Sequence, residues 1–284
     1  MRLLDLIYPG DIYCIACGRP LPPGTEAALC EDCASGIRWA AGRLCEKCGK
    51  ILSEGNRKNL CHDCSIDEHL FRKGYTCALY SGPAAEVIRD MKYRNRPSAA
   101  AALAAIMAAR IEADGSRVGA RDDRGCGARD DKCGALPAWG AVIPVPMYKG
   151  KKEQRGYNQA ELIASSLAKR LKIPLQKDAL ERSRDTGVMS SLSLGERKQN
   201  LSGALCVPPG AAKNLRGKEV LLVDDVYTTG STTDSCAEAL LAAGCTQVDF
   251  IVFASGSDGS QDLAQDDMPD TELFYKSADN PQIR

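Results

Sequence analysis

No apolar run in the 284 residues approaches the roughly 18 to 20 needed to cross a bilayer, so no helical membrane span is expected. Nor is there an excess of either charge: 37 lysines and arginines balance 37 aspartates and glutamates. A global pull towards nucleic acid is therefore missing, and any charge argument has to be local. The opening residues, Met1 to Asp11, hold one arginine and a short apolar patch that Asp5 interrupts and Pro9-Gly10 breaks. They lack the long apolar core of a secretory leader, and the expectation is a cytoplasmic protein. What is present is a 44% apolar share, ordinary for a globular chain that builds its own core.

The fourteen cysteines are unevenly placed. Eight fall before residue 65 as four C-x-x-C pairs: Cys14/Cys17, Cys30/Cys33, Cys45/Cys48 and Cys61/Cys64. Twelve residues separate Cys17 from Cys30, and twelve again separate Cys48 from Cys61. Disulfides do not require such paired spacing; tetrahedral metal sites do, and a reducing compartment keeps the thiols available. Eight thiolates suit two structural Zn²⁺ ions, each closed by four sulfurs. The repeat favours sequential sharing, Cys14, Cys17, Cys30 and Cys33 for one ion and Cys45, Cys48, Cys61 and Cys64 for the other, over interleaved sharing. His62 reads as a bystander, and Cys77, Cys206, Cys236 and Cys245 as buried small residues. Basic residues (Arg19, Arg38, Arg43, Lys47, Lys50, Arg57, Lys58) are scattered through this block with Trp39. Without a cluster of stacking side chains the nucleic-acid signal is weak, and a scaffold or partner-docking role outweighs it.

Beyond the block, expected to occupy residues 1–67, the rhythm is strand and helix in alternation. Tyr75–Tyr80 reads as a strand, Ala84–Tyr93 as an amphipathic stretch, and the alanine-rich Pro97–Ile111 as a helix. Residues 114–140 contain an imperfect tandem copy, Gly119–Cys126 and Gly127–Cys133, and read as a flexible insertion. Then follow a strand at Ala141–Val145, a helix at Asn158–Leu171, a strand at Glu219–Val223, a helix at Thr232–Ala243 stopped by Gly244, and a strand at Gln247–Phe253. The class is α/β, a parallel sheet flanked by helices over residues 68–255, with a polar tail over 256–284.

The most informative segment runs Val220-Leu221-Leu222-Val223-Asp224-Asp225-Val226-Tyr227-Thr228-Thr229-Gly230-Ser231-Thr232. Four apolar residues make a central strand, and ligands of open α/β sheets bind outside the carboxyl ends of strands. The Thr/Gly/Ser turn offers hydroxyls and backbone N–H groups at a helix N-terminus, where a phosphate is favoured. Two adjacent acids beside a phosphate cradle make sense if the ligand also presents hydroxyl donors, as the vicinal diol of a ribose does. A ribose 5-phosphate fits both halves.

This segment resembles the signature of type I phosphoribosyltransferases that bind 5-phosphoribosyl-1-pyrophosphate (PRPP). The resemblance implies Asp224 and Asp225 on the ribose hydroxyls, and Thr228, Thr229, Gly230, Ser231 and Thr232 on the 5′-phosphate. Asp225 is also the candidate to stabilise positive charge developing on the anomeric carbon. A second cluster follows the strand end at Pro144-Val145-Pro146: Lys149, Lys151, Lys152 and Arg155, then Gly156-Tyr157-Asn158-Gln159. Cations there suit a departing pyrophosphate, a task Mg²⁺ shares by bridging phosphate oxygens. Lys149, Arg155, Asn158 and Gln159 are the candidate pyrophosphate ligands.

The cysteine block, the IPVP strand end, RGYNQ and VDDVYTTGST in this order resemble the ComF family, competence-associated proteins with a double zinc ribbon and a type I phosphoribosyltransferase domain. The resemblance implies PRPP and Mg²⁺ as ligands and a link to DNA uptake or recombination, with single-stranded DNA or competence and recombination proteins as partners. It extends to a closing loop with Arg182, Arg184 and Arg197, although Ser183 and Met189 stand where the family pattern has Thr and Gln. The expected function is transfer or hydrolysis of the phosphoribosyl group with release of pyrophosphate, the acceptor being unspecified. The alternative is a non-catalytic sensor of PRPP or a nucleotide that engages DNA or a partner through its ribbons.

Overall fold

A computed structural model describes residues 12–22, 28–120, 137–183 and 204–259, with side chains described to residue 115 in the helix that ends at 120. Arg184, Met189 and Arg197 of the expected closing loop, the tandem copy from residue 121, and the tail beyond 259 lie outside these residues.

Among the described residues the apolar runs become one parallel sheet of four strands, ordered β1 (Gly74–Leu79), β6 (Gln247–Ser255), β5 (Glu219–Tyr227), β2 (Ala141–Pro144). Pro144 pairs with Val223, Val223 with Ile251, and Leu79 with Ser255, so the carboxyl ends gather along one edge. A small antiparallel pair, β3 (Glu181–Arg182) and β4 (Leu205–Cys206), stands apart from it. The helices are α1 (Glu31–Gly36) and α2 (His62–Ile66) in the cysteine block, then α3 (Gly82–Tyr93), α4 (Ala99–Ala120), α5 (Lys149–Arg155), α6 (Gln159–Leu171), α7 (Pro209–Leu215) and α8 (Ser231–Ala242).

Strand alternation divides the core in two. Leu221, Val223, Ile251 and Phe253 face one side, packed with Ile88, Leu103, Met107, Ile163 and Leu167 of α3, α4 and α6. Val220, Leu222, Phe250 and Val252 face the other, with Leu215 of α7 and Cys236 and Leu240 of α8. Each such fully buried side chain contributes roughly 1.5–3 kcal/mol of transfer free energy.

The cysteine block joins both cores. Cys14, Cys33 and Ile37 pack into the first, and Cys45, Cys48, Cys61, Cys64 and Phe71 into the second. Its backbone also covers β1, the edge strand: Trp39 bridges Ala78 in antiparallel fashion, and Gly74 N–H donates to the Lys47 carbonyl at 2.7 Å. A bare sheet edge would otherwise present unpaired donors and acceptors.

Several boundaries differ from the sequence reading. Helix α4 continues to Ala120, into the segment read as an insertion, because Asp114 is held by Lys73 and Arg110. At the other end of that segment Trp139 is buried and donates to Asp249 at 2.8 Å. The basic cluster after the strand end forms helix α5, closed by Gly156 at φ +85°. Strand β5 extends past Val223 to Tyr227, because β6 is long enough to pair with it. The tail is tied down at Asp258, which accepts from Ser53, Asn56 and His62. Cys206 is exposed, whereas Cys77, Cys236 and Cys245 are buried.

Candidate functional site

Each cysteine set is built from one tight turn and one short helix. Cys14 and Cys17 flank a turn in which Gly18 N–H donates to the Cys14 carbonyl, and Cys45 and Cys48 repeat it with Gly49. Gly49 sits at φ +78°, and a Cβ there would lie 2.7 Å from the Gly74 carbonyl oxygen, so only glycine fits. Cys30 and Cys61 cap the N-termini of α1 and α2, which carry Cys33 and Cys64.

The sulfurs group as Cys14, Cys17, Cys30, Cys33 and as Cys45, Cys48, Cys61, Cys64, each set within 4.8 Å. This is sequential sharing. Cys17 and Cys30 sulfurs are 3.7 Å apart, and Cys48 and Cys61 sulfurs 3.6 Å. A tetrahedron with Zn–S bonds of about 2.3 Å has edges of about 3.8 Å, so both sets fit Zn²⁺. Arg19 lies 3.4 Å from Cys17 Sγ and 3.5 Å from Cys30 Sγ, and pairs with Asp32. Its hydrogen bond draws the Cys17 thiol down to about 6, towards the thiolate a metal requires. Four thiolates close each shell, which marks the sites as structural.

At the carboxyl end of β5 the chain brings together the acids and the hydroxyl turn. The Asp225 N–H donates to Asp224 Oδ1 at 2.9 Å. Burial is the main cause raising the Asp224 carboxyl to about 7; the Asp225 charge adds to it, and the Asp225 N–H, Lys92 and Arg182 oppose it. Arg182, from β3, thus acts on the acids. Lys92 Nζ lies 3.0 Å from Asp225 Oδ2, and the Asp225 side chain is 10% exposed.

Beyond Tyr227 comes the turn. Thr228 is exposed, Thr229 and Thr232 are half-buried, and Thr229 Oγ1 lies 3.2 Å from Ser231 Oγ. Gly230, at φ +91°, ends the turn as the N-cap of α8. The helix ladder begins with Asp234 N–H on the Gly230 carbonyl at 2.7 Å. The N–H groups of Ser231, Thr232 and Thr233 precede it, as at any helix start, and the helix dipole adds positive potential. A Cβ on Gly230 would lie 2.7 Å from Tyr227 Oη and 2.8 Å from His69 Cε1, so the turn lies against those two rings. His69 Nδ1 in turn meets Asp234 Oδ2 at 2.7 Å, and Leu70 N–H donates to Asp234 Oδ1 at 3.0 Å.

The basic cluster divides. Lys149 is 88% exposed, 4.0 Å from Glu153. Arg155 donates to Gln159 Oε1 at 2.9 Å, with its guanidinium 5.6 Å from the Tyr93 ring centre. Asn158 and Gln159, expected on pyrophosphate, are buried and engaged within the fold. Asn158 Oδ1 caps α6 by accepting from Ala160 N–H (3.1 Å), while its Nδ2 donates to the Val145 carbonyl (2.9 Å). Gln159 Nε2 and Tyr157 Oη both donate to the Met91 carbonyl, at 3.3 and 2.5 Å.

The sequence reading missed two residues here. Neither Lys92 nor His69 belongs to a motif, and their partners lie 133 and 165 positions away. Clefts of about 360 Å³ beside Lys169 and Ile173, and about 300 Å³ beside Arg38 and Asp258, include none of Asp224–Thr232.

Residues 158–283 match the phosphoribosyl transferase domain, and residues 3–65 the double zinc ribbon domain. Competence protein F of Haemophilus influenzae is 38% identical over 109 residues, 38% of this chain and 47% of that protein. The DNA utilization protein YhgH of Shigella flexneri is 30% identical over 61% of this chain and 67% of its own length. Competence protein ComFC of Bacillus subtilis is 29% identical over 36% of this chain and 39% of its own. The matches thus span about half of the Haemophilus protein and about two thirds of the Shigella one. A parallel sheet ending in the VDDVYTTGST turn, two four-cysteine clusters ahead of it and these relatives together place the chain in the ComF family.

Proposed function

We propose that this chain binds PRPP and transfers its phosphoribosyl group to an acceptor, or to water, releasing pyrophosphate. One observation carries the reading: Asp224 and Asp225 close β5, and the chain passes directly through the Thr228–Gly230 turn into the N-terminus of α8. A ligand held there must offer hydroxyl donors to paired carboxylates and an anion to the turn. Ribose 5-phosphate does both.

In this reading the ribose diol donates to Asp224 and Asp225. The 5′-phosphate accepts from the turn hydroxyls and the first N–H groups of α8. Lys149 and Arg155, after the neighbouring strand end, face the pyrophosphate side. Mg²⁺ is read as arriving with the ligand, chelated by phosphate oxygens, and would supply charge neutralisation for the leaving group. Little acid–base chemistry is demanded of the protein. As the bond from C1 to the pyrophosphate oxygen breaks, the sugar becomes oxocarbenium-like, and the Asp225 carboxylate sits on the side of the developing positive charge. The acceptor attacks C1 and gives up its proton, or water does so in hydrolysis. The relatives' names speak of competence and DNA utilization, and we infer that the chemistry serves that setting.

The test is pyrophosphate release from PRPP and Mg²⁺, with purine and pyrimidine bases, amines and water as acceptors. Release that depends on Asp225 supports transfer. Tight PRPP binding with no release across all acceptors would favour a sensor.

A further inference from the structure

Helix α3 ends beside the proposed PRPP site, and its last turn is held from several directions. The Met91 carbonyl accepts from both Tyr157 Oη and Gln159 Nε2. Tyr93 lies under the Arg155 guanidinium. Asp90, one turn back and buried, pairs with Arg94 and Arg96 at 3.1 Å each. So much restraint on one turn fixes where Lys92 points. Its Nζ is 3.0 Å from Asp225 Oδ2, with the side chain only 26% exposed.

That placement is physically expensive. A lysine near a helix end ordinarily runs its stem along the surface and leaves its ammonium in water. Drawing it inside costs desolvation that an apolar side chain would not incur. The cost is understandable only through what Lys92 faces, two adjacent carboxylates, at least one of them deeply buried. Without a cation, like charges this close do not ionise together, and one holds a proton.

We propose, on the PRPP reading above, that Lys92 is a positioning residue of the ligand site: it offsets the negative charge gathered at Asp224 and Asp225 and holds Asp225 by one oxygen, leaving the other to accept from the sugar. Tyr157 and Gln159 of the RGYNQ segment then act on the ligand indirectly, since they clamp the turn that carries Lys92. Other groups facing the acids are Arg182 from β3 and Cys236 from α8, with Tyr80 facing Lys92 itself. Lys92 is in direct contact with Asp225, and its charge raises the share of Asp224 ionised near neutrality.

The experiment is calorimetric titration of the zinc-loaded chain with PRPP and Mg²⁺ from pH 6 to 9, for wild type, Lys92→Met, Lys92→Arg and Lys92→Met in an Asp225→Asn background. Lys92→Met is expected to weaken binding at least tenfold at pH 7, with the deficit shrinking as pH rises and Asp224 ionises unaided. Lys92→Arg should remain within about threefold of wild type, and in the Asp225→Asn background the Met substitution should cost less than threefold. Carboxyl carbon shifts in ligand-free protein give a second readout: the Asp224 midpoint should rise in Lys92→Met. Wild-type affinity in Lys92→Met, a deficit independent of pH, or an unmoved Asp224 midpoint would overturn the proposal. If wild type itself takes no PRPP at any pH, the PRPP reading fails first and this inference with it.

Discussion

His69 Nδ1 lies 2.7 Å from Asp234 Oδ2, joining the segment that leaves the second cysteine cluster to the first turn of α8. The contact continues as a chain of rings. His69 stacks on Phe71 at 4.8 Å, Phe71 meets Tyr227 edge-on at 6.2 Å, and Lys50 of the cluster lies 5.4 Å from the Tyr227 ring centre. The second metal cluster therefore buttresses the turn that we read as the phosphate cradle.

Emptying that cluster should loosen the turn. Cys61→Ser, or chelation of the zinc, is expected to lower stability by at least ~3 kcal/mol, roughly 10 °C in Tm. Hydrogen exchange of the amides from Thr228 to Asp234 should accelerate more in Cys61→Ser than in Cys17→Ser, whose cluster packs on the opposite face of the sheet. Equal acceleration in the two variants would count against the buttress.

Asp224 gives a pH signature in stability. Its folded carboxyl titrates at about 7 against an ordinary 3.8, because burial disfavours the charge. Between those values the folded state binds the extra proton, so stability is highest below about pH 4 for this group and is lost as pH rises to about 7. Asp224→Asn removes the titration. Its Tm should match wild type near pH 4 and exceed it above pH 7, measured by thermal melts; parallel curves would refute the assignment.

Gly230→Ala asks a left-handed residue to carry a Cβ 2.7 Å from Tyr227 Oη. The turn has to shift, and PRPP affinity is expected to fall by at least tenfold while the sheet core persists. Calorimetry with PRPP, alongside circular dichroism, separates the two effects. Unchanged affinity would mean that the turn does not hold the phosphate.

Asn158→Ala removes a helix cap and leaves the buried Val145 carbonyl without its donor. A loss of about 2–3 kcal/mol is expected by urea denaturation. A loss below ~0.5 kcal/mol would show that these bonds contribute little.

What was legible in the sequence was whatever has a short period or a short motif. Val220–Val223 had to be a buried strand, and the C-x-x-C spacing with its twelve-residue repeat led to the two sulfur sets now seen. Less visible was everything made by contact across the chain. Lys92 reaches Asp225, and Asp258 reaches His62, through no local pattern. The contacts of Asn158 and Gln159 within the fold were hidden for a physical reason: polar side chains beside a basic run suggest an anion, yet an amide at a helix start equally serves as a cap. The packing of the cysteine block on the sheet was equally hidden: its sulfurs join both cores.

The central claim is that a sugar diol and its phosphate are held together at the end of β5. The most direct measurement is calorimetric titration of wild type and of Asp224→Asn/Asp225→Asn with PRPP and Mg²⁺ at pH 8, with inorganic pyrophosphate as the comparison ligand. The account predicts saturable 1:1 binding of PRPP by wild type, tighter than pyrophosphate, and at least a hundredfold loss in the double variant. Equal affinity for PRPP in both proteins, or no PRPP binding by wild type, would contradict it.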